Sequence, residues 1–508
     1  MKARHILRFL CLLLCAAGLL PSCSGDQIDI EDPVSGADLV DFCIVADGRE
    51  YYPVDVSTTD RTVFVPDGTD LSHLVARFKN PPASVTVGDV EQVSGVTANN
   101  FTSFKKGVVY NVTAEDGQQK SYKVRVLDTR LPVVYVTTRE AVRIRDRENW
   151  ITASLRILHP DGSIERVGGT GIRGRGNWTW EKYPKKPYAL KLDSKREMLG
   201  MPAHKRWVLL ALYRGFIGNA LAFEATRRAP ALGWAPRGRY VELVLNGKFQ
   251  GLYYLCEQIK IDRNRVDITP LETTDISYPA VSGGYLLEYD ELYDDEYKFK
   301  TAGFGLPVQL KAPNDNVPEA QFNYIRDYIN DMEAEIKKIG TSSASRYGDY
   351  LDIISFAEYW MVLETVSNYE AYKPRSVKMF KGRDGKDSPK GTVAKLKAGP
   401  LWDQELFLVD RKFNSKNMYY YKYLFKDPEF VKTVKERWGP YRDNLLGTGG
   451  RESFIDYLNG IVKTIEKSAN RDISFWNNGY FTLPEEVGLV RNGFVSKIEW
   501  MDAQIGAL

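Results

Sequence analysis

The chain is poor in the residues that build metal centres and covalent staples. It holds 4 histidines and 5 cysteines in 508 residues, and His73, His159 and His204 share no metal-like spacing with each other or with cysteine. Charge of one sign is also missing. Lys and Arg number 69 against 66 Asp and Glu, a net of +3, too little to mark a nucleic-acid partner or an anionic membrane surface. No apolar run reaches the ~20 residues that cross a bilayer as a helix.

What is present begins at the N-terminus. Lys2, Arg4 and Arg8 precede the apolar run Phe9 to Leu20, the layout of an export signal. Leu20-Pro21-Ser22-Cys23 follows and resembles a bacterial lipobox, which implies cleavage before Cys23 and acylation of its thiol. The expected location is the outer membrane or cell surface, with the lipid as the sole membrane contact. Loss of residues 1–22 leaves Cys43 and Cys256 as the remaining thiols, read as two buried free cysteines. The mature chain would keep His73, His159 and His204.

A length of 508 residues exceeds one hydrophobic core and calls for two or three domains. Residues 23–37 are polar, acidic and contain Gly and Pro, and read as a spacer. Residues 38–128 hold short β-like runs: Phe42 to Val45, Val54 to Ser57, Thr62 to Val65 and Ser84 to Val87. Tyr110 to Glu115 and Ser121 to Val126 flank the hairpin signal Asp116-Gly117. That pattern predicts an all-β sandwich and resembles immunoglobulin-like modules.

From residue 131 the pattern is mixed. Strands are predicted at 132–137, 151–158, 168–174, 187–193, 239–245, 250–256 and 284–289, with a helix at 219–228 between the fourth and fifth. Beyond residue 313 the period is helical. Phe322, Ile325, Ile329, Met332, Ile336 and Ile339 recur at intervals of three and four. Asp427-Pro428 opens another helix, and 349–367, 453–469 and 484–505 read alike. A mainly β part (131–312) before a mainly helical part (313–508) is the order of a two-lobed kinase.

Candidate chemistry lies in a few segments. Ile172 to Trp180 (IRGRGNWTW) is a glycine-containing turn rich in donors, and its Arg173, Arg175 and Asn177 suit phosphate oxygens; a tight turn with arginines paired to carboxylates is the structural alternative. Lys191 alternates with Tyr188 on the strand that follows and could supply a point charge, with Glu224 as its partner. Glu257 and Glu288 end apolar strands, where an acid can reach a cleft. Asn368 and Glu370 close a helix, while Asp403 and Glu405 follow a strand-like run. Carboxylates from separate elements could converge on Mg²⁺. The acidic stretch from Glu288 to Glu296 lacks EF-hand spacing and reads as a solvated loop.

Together these segments, with KKPYALKL, RWVLLALY, YVELVLNGKFQGLYYLCEQIKI, GGYLLEYD, NYEAY and GPLWDQEL in order, resemble the CotH kinase family. The resemblance implies an atypical α+β kinase fold, ATP with Mg²⁺ or Mn²⁺, and phosphoryl transfer to protein hydroxyls. It also implies metal ligation by Asp403 and Glu405 and catalytic roles for Asn368, Glu370 and Asp403. Arg173, Arg175, Asn177, Lys191, Glu224 and Glu257 would lie on the nucleotide side. Three positions depart from the family pattern. Glu370 and Glu405 stand where it has aspartates, lengthening the reach by about 1.5 Å, which matters to in-line geometry. The segment Tyr213 to Asn219 is shorter and lacks an arginine directly before Asn219. Two readings stay open: an extracytoplasmic protein kinase, or a non-catalytic surface lipoprotein binding glycans or proteins.

Overall fold

The computed structural model describes residues 36–53, 59–79, 84–413, 415–477 and 481–508. Cys23, the leader and the strand expected at Val54 to Ser57 lie outside them. Among the described residues no helix is long and apolar enough to cross a membrane.

The N-terminal part is two sheets around one apolar core. Val40–Ala46 pairs with Arg49–Tyr51 and with Leu74–Lys79. In the second sheet Val108–Thr113 and Gln119–Thr129 form the expected hairpin about Gly117, whose φ is +81°. Asp60–Pro66 runs parallel to Gln119–Thr129. Alternate side chains enter the space between the sheets, among them Phe42, Ile44, Val63, Phe78, Tyr110, Tyr122 and Val124.

Next comes a closed seven-stranded barrel. Its order is Val133–Thr138, Ile151–Leu158, Ile164–Gly174, Tyr188–Met198, Met201–Leu210, Lys248–Glu257 and Gly238–Leu245. Parallel pairing of the first with the last closes it. Six of these strands match the predicted runs. Met201–Leu210 was not predicted as a strand, because the tight turn leading into it is Leu199-Gly200, both at positive φ, without the Asn-Gly or Asp-Gly signal that marks such turns. The interior is filled by side chains such as Leu155, Ile157, Ile172, Leu190, Trp207, Leu243 and Leu255. Strand alternation therefore turns Arg173, Lys191 and Arg206 outward, each next to an interior residue.

The remaining predicted strand, seen at Tyr285–Tyr289, belongs to another sheet. It pairs with Pro307–Ala312 on one side and with Val377–Lys381 on the other. Val377–Lys381 comes from the helix-rich half, so this sheet joins both sides of residue 312.

Helices dominate the C-terminal half. Ile353–Thr365 is buried on every side from Ser355 to Thr365, as a central core helix must be. Around it lie Gly218–Arg227, Glu319–Lys338, Pro428–Leu446, Phe454–Trp476 and Leu483–Gly506. The predicted stripe on the helix Glu319–Lys338 faces the core, with Ile325, Ile329, Met332 and Ile336 all at 0% exposure. Helix starts carry the expected chemistry: Asp427 before Pro428, and capping boxes at Ser453/Asp456 and Thr482/Glu485.

The β-sandwich is seated on the rest of the chain. Phe249 packs against Phe64, Phe104 and Phe475 with ring centroids 5.3–6.2 Å apart. Lys467 bridges Asp67 and Asp128, and Arg471 reaches Asp128 and Glu242.

Candidate functional site

The loop 399–410 lies between the arginine turn and the mixed sheet. Arg175 lies over the Trp402 ring at 5.5 Å, Gly399 N donates to Lys378 O at 2.9 Å, and Ser376 Oγ donates to Asp403. The region they bound is the recess. Asp403 lies in it at φ +64°, a left-handed conformation that a non-glycine residue holds only when its surroundings require it. The requirement is visible on both flanks. Gln404 takes Asn219 Oδ1 on its backbone N–H at 3.2 Å, and its side-chain carbonyl accepts from Asn368 Nδ2 at 2.7 Å. Gly218 is pressed so close that a Cβ there would meet the Glu405 carbonyl oxygen at 2.3 Å. The loop is thus clamped between two helix ends.

Asp403 is exposed to water, with one weak side-chain bond, from Ser376 Oγ at 3.4 Å. The protein crowded around the recess pushes its carboxyl above the usual range. Arg175 opposes that push, while Glu370 and Glu288 add to it. Because water reaches the group, we take it as an accessible carboxylate. Arg175 lies over the Trp402 ring at 5.5 Å, so the arginine turn and the acid loop share one wall.

Glu405 is engaged differently. It accepts from the Tyr183 hydroxyl at 3.1 Å, and Arg214 lies at 3.7 Å. Burial and the charge of Asp403 raise its carboxyl to about 7. Glu370 is held by Arg375 at 3.4 Å, and Arg375 also binds Glu291. Asn368, besides its bond to Gln404, accepts from Ala371 N at 2.8 Å, so its amide braces the loop.

Glu288 sits deeper. Burial opposes its ionisation, but Lys378 and Lys311 outweigh that and hold it down at about 2.

The other predicted residues lie apart from the recess or serve local contacts. Lys191 is exposed on the barrel's outer face. Its expected partner Glu224 is bonded instead by Arg227 and Arg228, each at 2.9 Å. Glu257 points to the inside end of the barrel at 0% exposure, tied to Arg237 at 2.9 Å with Arg265 at 3.8 Å. Asn177 accepts from Arg147. Arg173 stacks on Trp150 at 4.6 Å.

Four partners escaped the sequence reading. Tyr183, Arg214 and Ser376 are isolated in the sequence from the acids they touch. Glu486, 1% exposed and carried by the helix Leu483–Gly506, accepts from Phe216 N at 2.7 Å and Ile217 N at 3.3 Å. It anchors the altered segment 213–219 at the start of Gly218–Arg227.

The metal and nucleotide expected from the resemblance can be set against this donor set. A hard divalent ion takes about six oxygens, several of them from carboxylates or phosphates. Among the described residues, Asp403 makes no salt bridge, though Arg175 and Lys378 act on it at a distance. Among the described residues no group of three His, Cys, Asp or Glu side chains is disposed to hold a metal. Asp403 and Glu405 are the acids that would hold such an ion, and Glu405 is here bonded to Tyr183.

Comparison with known proteins matches two regions. Residues 172–492 match the family model described as CotH kinase protein. Residues 45–126 match the one described as SGBP, N-terminal. No curated protein matches. Among solved structures the chain is similar to one described as a glycoside hydrolase candidate from Bacteroides thetaiotaomicron, at 17% identity over 55% of this chain and 68% of that one, with a TM-score of 0.19. A superposition that poor carries no argument.

Proposed function

The chain belongs to the CotH kinase protein family, and from that premise we propose that it is a non-catalytic, lipid-anchored surface member that binds glycans. The supporting observation is the state of the acids. Glu405 is held by Tyr183 and Arg214, Glu370 by Arg375, and the Asn368 amide is committed to Gln404 and Ala371. A phosphotransfer centre needs those groups turned toward metal and acceptor.

The recess does suit hydroxyl-rich ligands. Asp403 can accept from sugar hydroxyls and Arg175 can donate to them. Tyr369 and Tyr372 flank Glu370 at 45% and 57% exposure, and Trp178 stands at 63% after the arginine turn. Such rings offer apolar faces with a polar edge. The immunoglobulin-like sandwich would then act as a stalk between lipid and recess.

Thermal melting tests the reading. ATP with Mg²⁺ or Mn²⁺ at millimolar concentration is expected to leave the Tm unchanged, since a ligand of the native state must raise it. The kinase reading keeps one observation in its favour, the open Asp403 beside Arg175. Phosphate incorporation into protein that disappears in Asp403→Ala would establish it and displace the binding reading.

A further inference from the structure

The outer face of the barrel carries a second feature, which takes in Arg173 and Lys191 of the expected nucleotide side but lies apart from the acids. Gly171, Lys191 and Arg206 are register partners on three neighbouring strands, so Lys191 and Arg206 stand side by side on the solvent face. Arg173 is two residues along on that face. The guanidinium groups of Arg173 and Arg206 both lie on the Trp150 ring, at 4.6 and 5.0 Å. Lys260, half-buried at the end of the segment after Lys248–Glu257, completes the group.

These cations are crowded. Among the described residues Arg173, Lys191, Arg206 and Lys260 form no salt bridge with a carboxylate. Asp146 and Glu148 act on Arg173 at a distance, and Asp295 on Lys260. Arg173 gives one bond, to the Glu148 carbonyl at 3.3 Å, and its Nε is buried without a partner. Burial, with Arg206, Lys311 and Lys378 adding repulsion, lowers the Lys260 ammonium to about 8. Lys378, itself paired with Glu288, is near enough to act on both Lys260 and Asp403, which places the cations beside the recess.

Like charges gathered without counter-charge cost free energy unless an anion joins them. We infer that this shelf, Trp150 with Arg173, Lys191, Arg206 and Lys260, binds a sulfate or carboxylate group of an acidic polysaccharide whose sugar rings enter the adjoining recess. The inference rests on the glycan-binding reading and narrows its ligand to an anionic one. Guanidinium forks suit both oxyanions, so the shared chemistry is the claim and the experiment separates the two sources.

The full chain is tested by affinity electrophoresis in gels holding heparin (sulfate), polygalacturonate (carboxylate) or neutral dextran. Retardation is expected with heparin, polygalacturonate or both, none with dextran, and loss of retardation above roughly 0.5 M salt. The double variant Arg206→Gln/Lys260→Gln should weaken binding by at least about ten-fold. Its Tm should be unchanged or higher, because a repelled cation is removed, so weaker binding cannot be unfolding. Lys105→Gln/Lys106→Gln, the same loss of charge on the sandwich, should bind as the parent does. Dextran held as tightly as the acidic polymers overturns the shelf while leaving glycan binding intact. So does unchanged binding in the Arg206/Lys260 variant. Failure of all three polymers overturns the shelf, and joined to a Tm raised by ATP and Mg²⁺ it overturns the glycan reading itself.

Discussion

The Lys185 ammonium meets the Asp472 carboxylate at 2.7 Å with both side chains at 0% exposure. Lys185 also donates to Leu252 O, and Asp472 accepts from Leu252 N at 2.9 Å. The pair pins the segment after the arginine turn to the helix Phe454–Trp476 through a barrel strand.

Removing one partner leaves a buried charge without a counter-charge. Lys185→Met is therefore expected to cost about 3–5 kcal/mol in urea unfolding. The double variant Lys185→Met/Asp472→Leu should recover most of that loss, since apolar side chains replace both charges. A double variant no more stable than the single one would refute the account.

Glu405 makes stability depend on pH. Its folded carboxyl titrates at about 7 against a usual 4.5, raised by burial and by Asp403. A raised pKa contributes stability that is complete below about 4.5 and lost as pH climbs through 7. Glu405→Gln keeps an acceptor for Tyr183 but carries no charge. Its stability relative to the parent should improve between pH 5 and pH 8, by on the order of 1–3 kcal/mol. Melting curves at the two pH values decide it; a constant difference would count against a burdened Glu405.

Gly218 tests the clamp on the acid loop. Alanine there would press on the Glu405 and Gln404 main chain at 2.3–2.6 Å, and overpacking against backbone is expected to cost about 1–3 kcal/mol or more. Gly460, in the helix Phe454–Trp476 with nothing near its Cβ position, should gain up to about 1 kcal/mol as alanine. Denaturant midpoints for the two variants should move in opposite directions.

The seat of the sandwich should be apolar in its energetics. Lys467 is 49% exposed where it bridges Asp67 and Asp128, and Lys467→Ala should cost under about 1 kcal/mol. Phe249→Ala empties the space among Phe64, Phe104 and Phe475 and should cost about 3–5 kcal/mol. Calorimetry of Phe249→Ala should show the sandwich melting separately from the remainder. A larger loss from Lys467→Ala would reverse the ranking.

Much of the architecture was legible locally. The Asp116-Gly117 hairpin, the stripe from Ile325 to Ile336 and the helix start at Asp427-Pro428 all follow from neighbours a few residues apart, where turn chemistry and periodicity act. Met201–Leu210 was missed because Leu199-Gly200 is an unmarked turn. Closure of the barrel was invisible as well. It rests on pairing Val133–Thr138 with Gly238–Leu245, about a hundred residues away, and no local pattern encodes such a partner.

For the site, the sequence alone determined which residue types stand at the acid positions, including glutamates at 370 and 405, and which strand positions alternate. Tertiary structure decided what those groups do. The sequence order pairs Lys191 with Glu224, yet Glu224 has arginines one helical turn away, and Arg227 and Arg228 take it at 2.9 Å. Glu405 acquires Tyr183 from 222 positions earlier, and the segment 213–219 acquires Glu486 from about 270 positions later. Whether a carboxylate is open or engaged depends on distance in space over a few ångströms, and only the packed chain sets that distance.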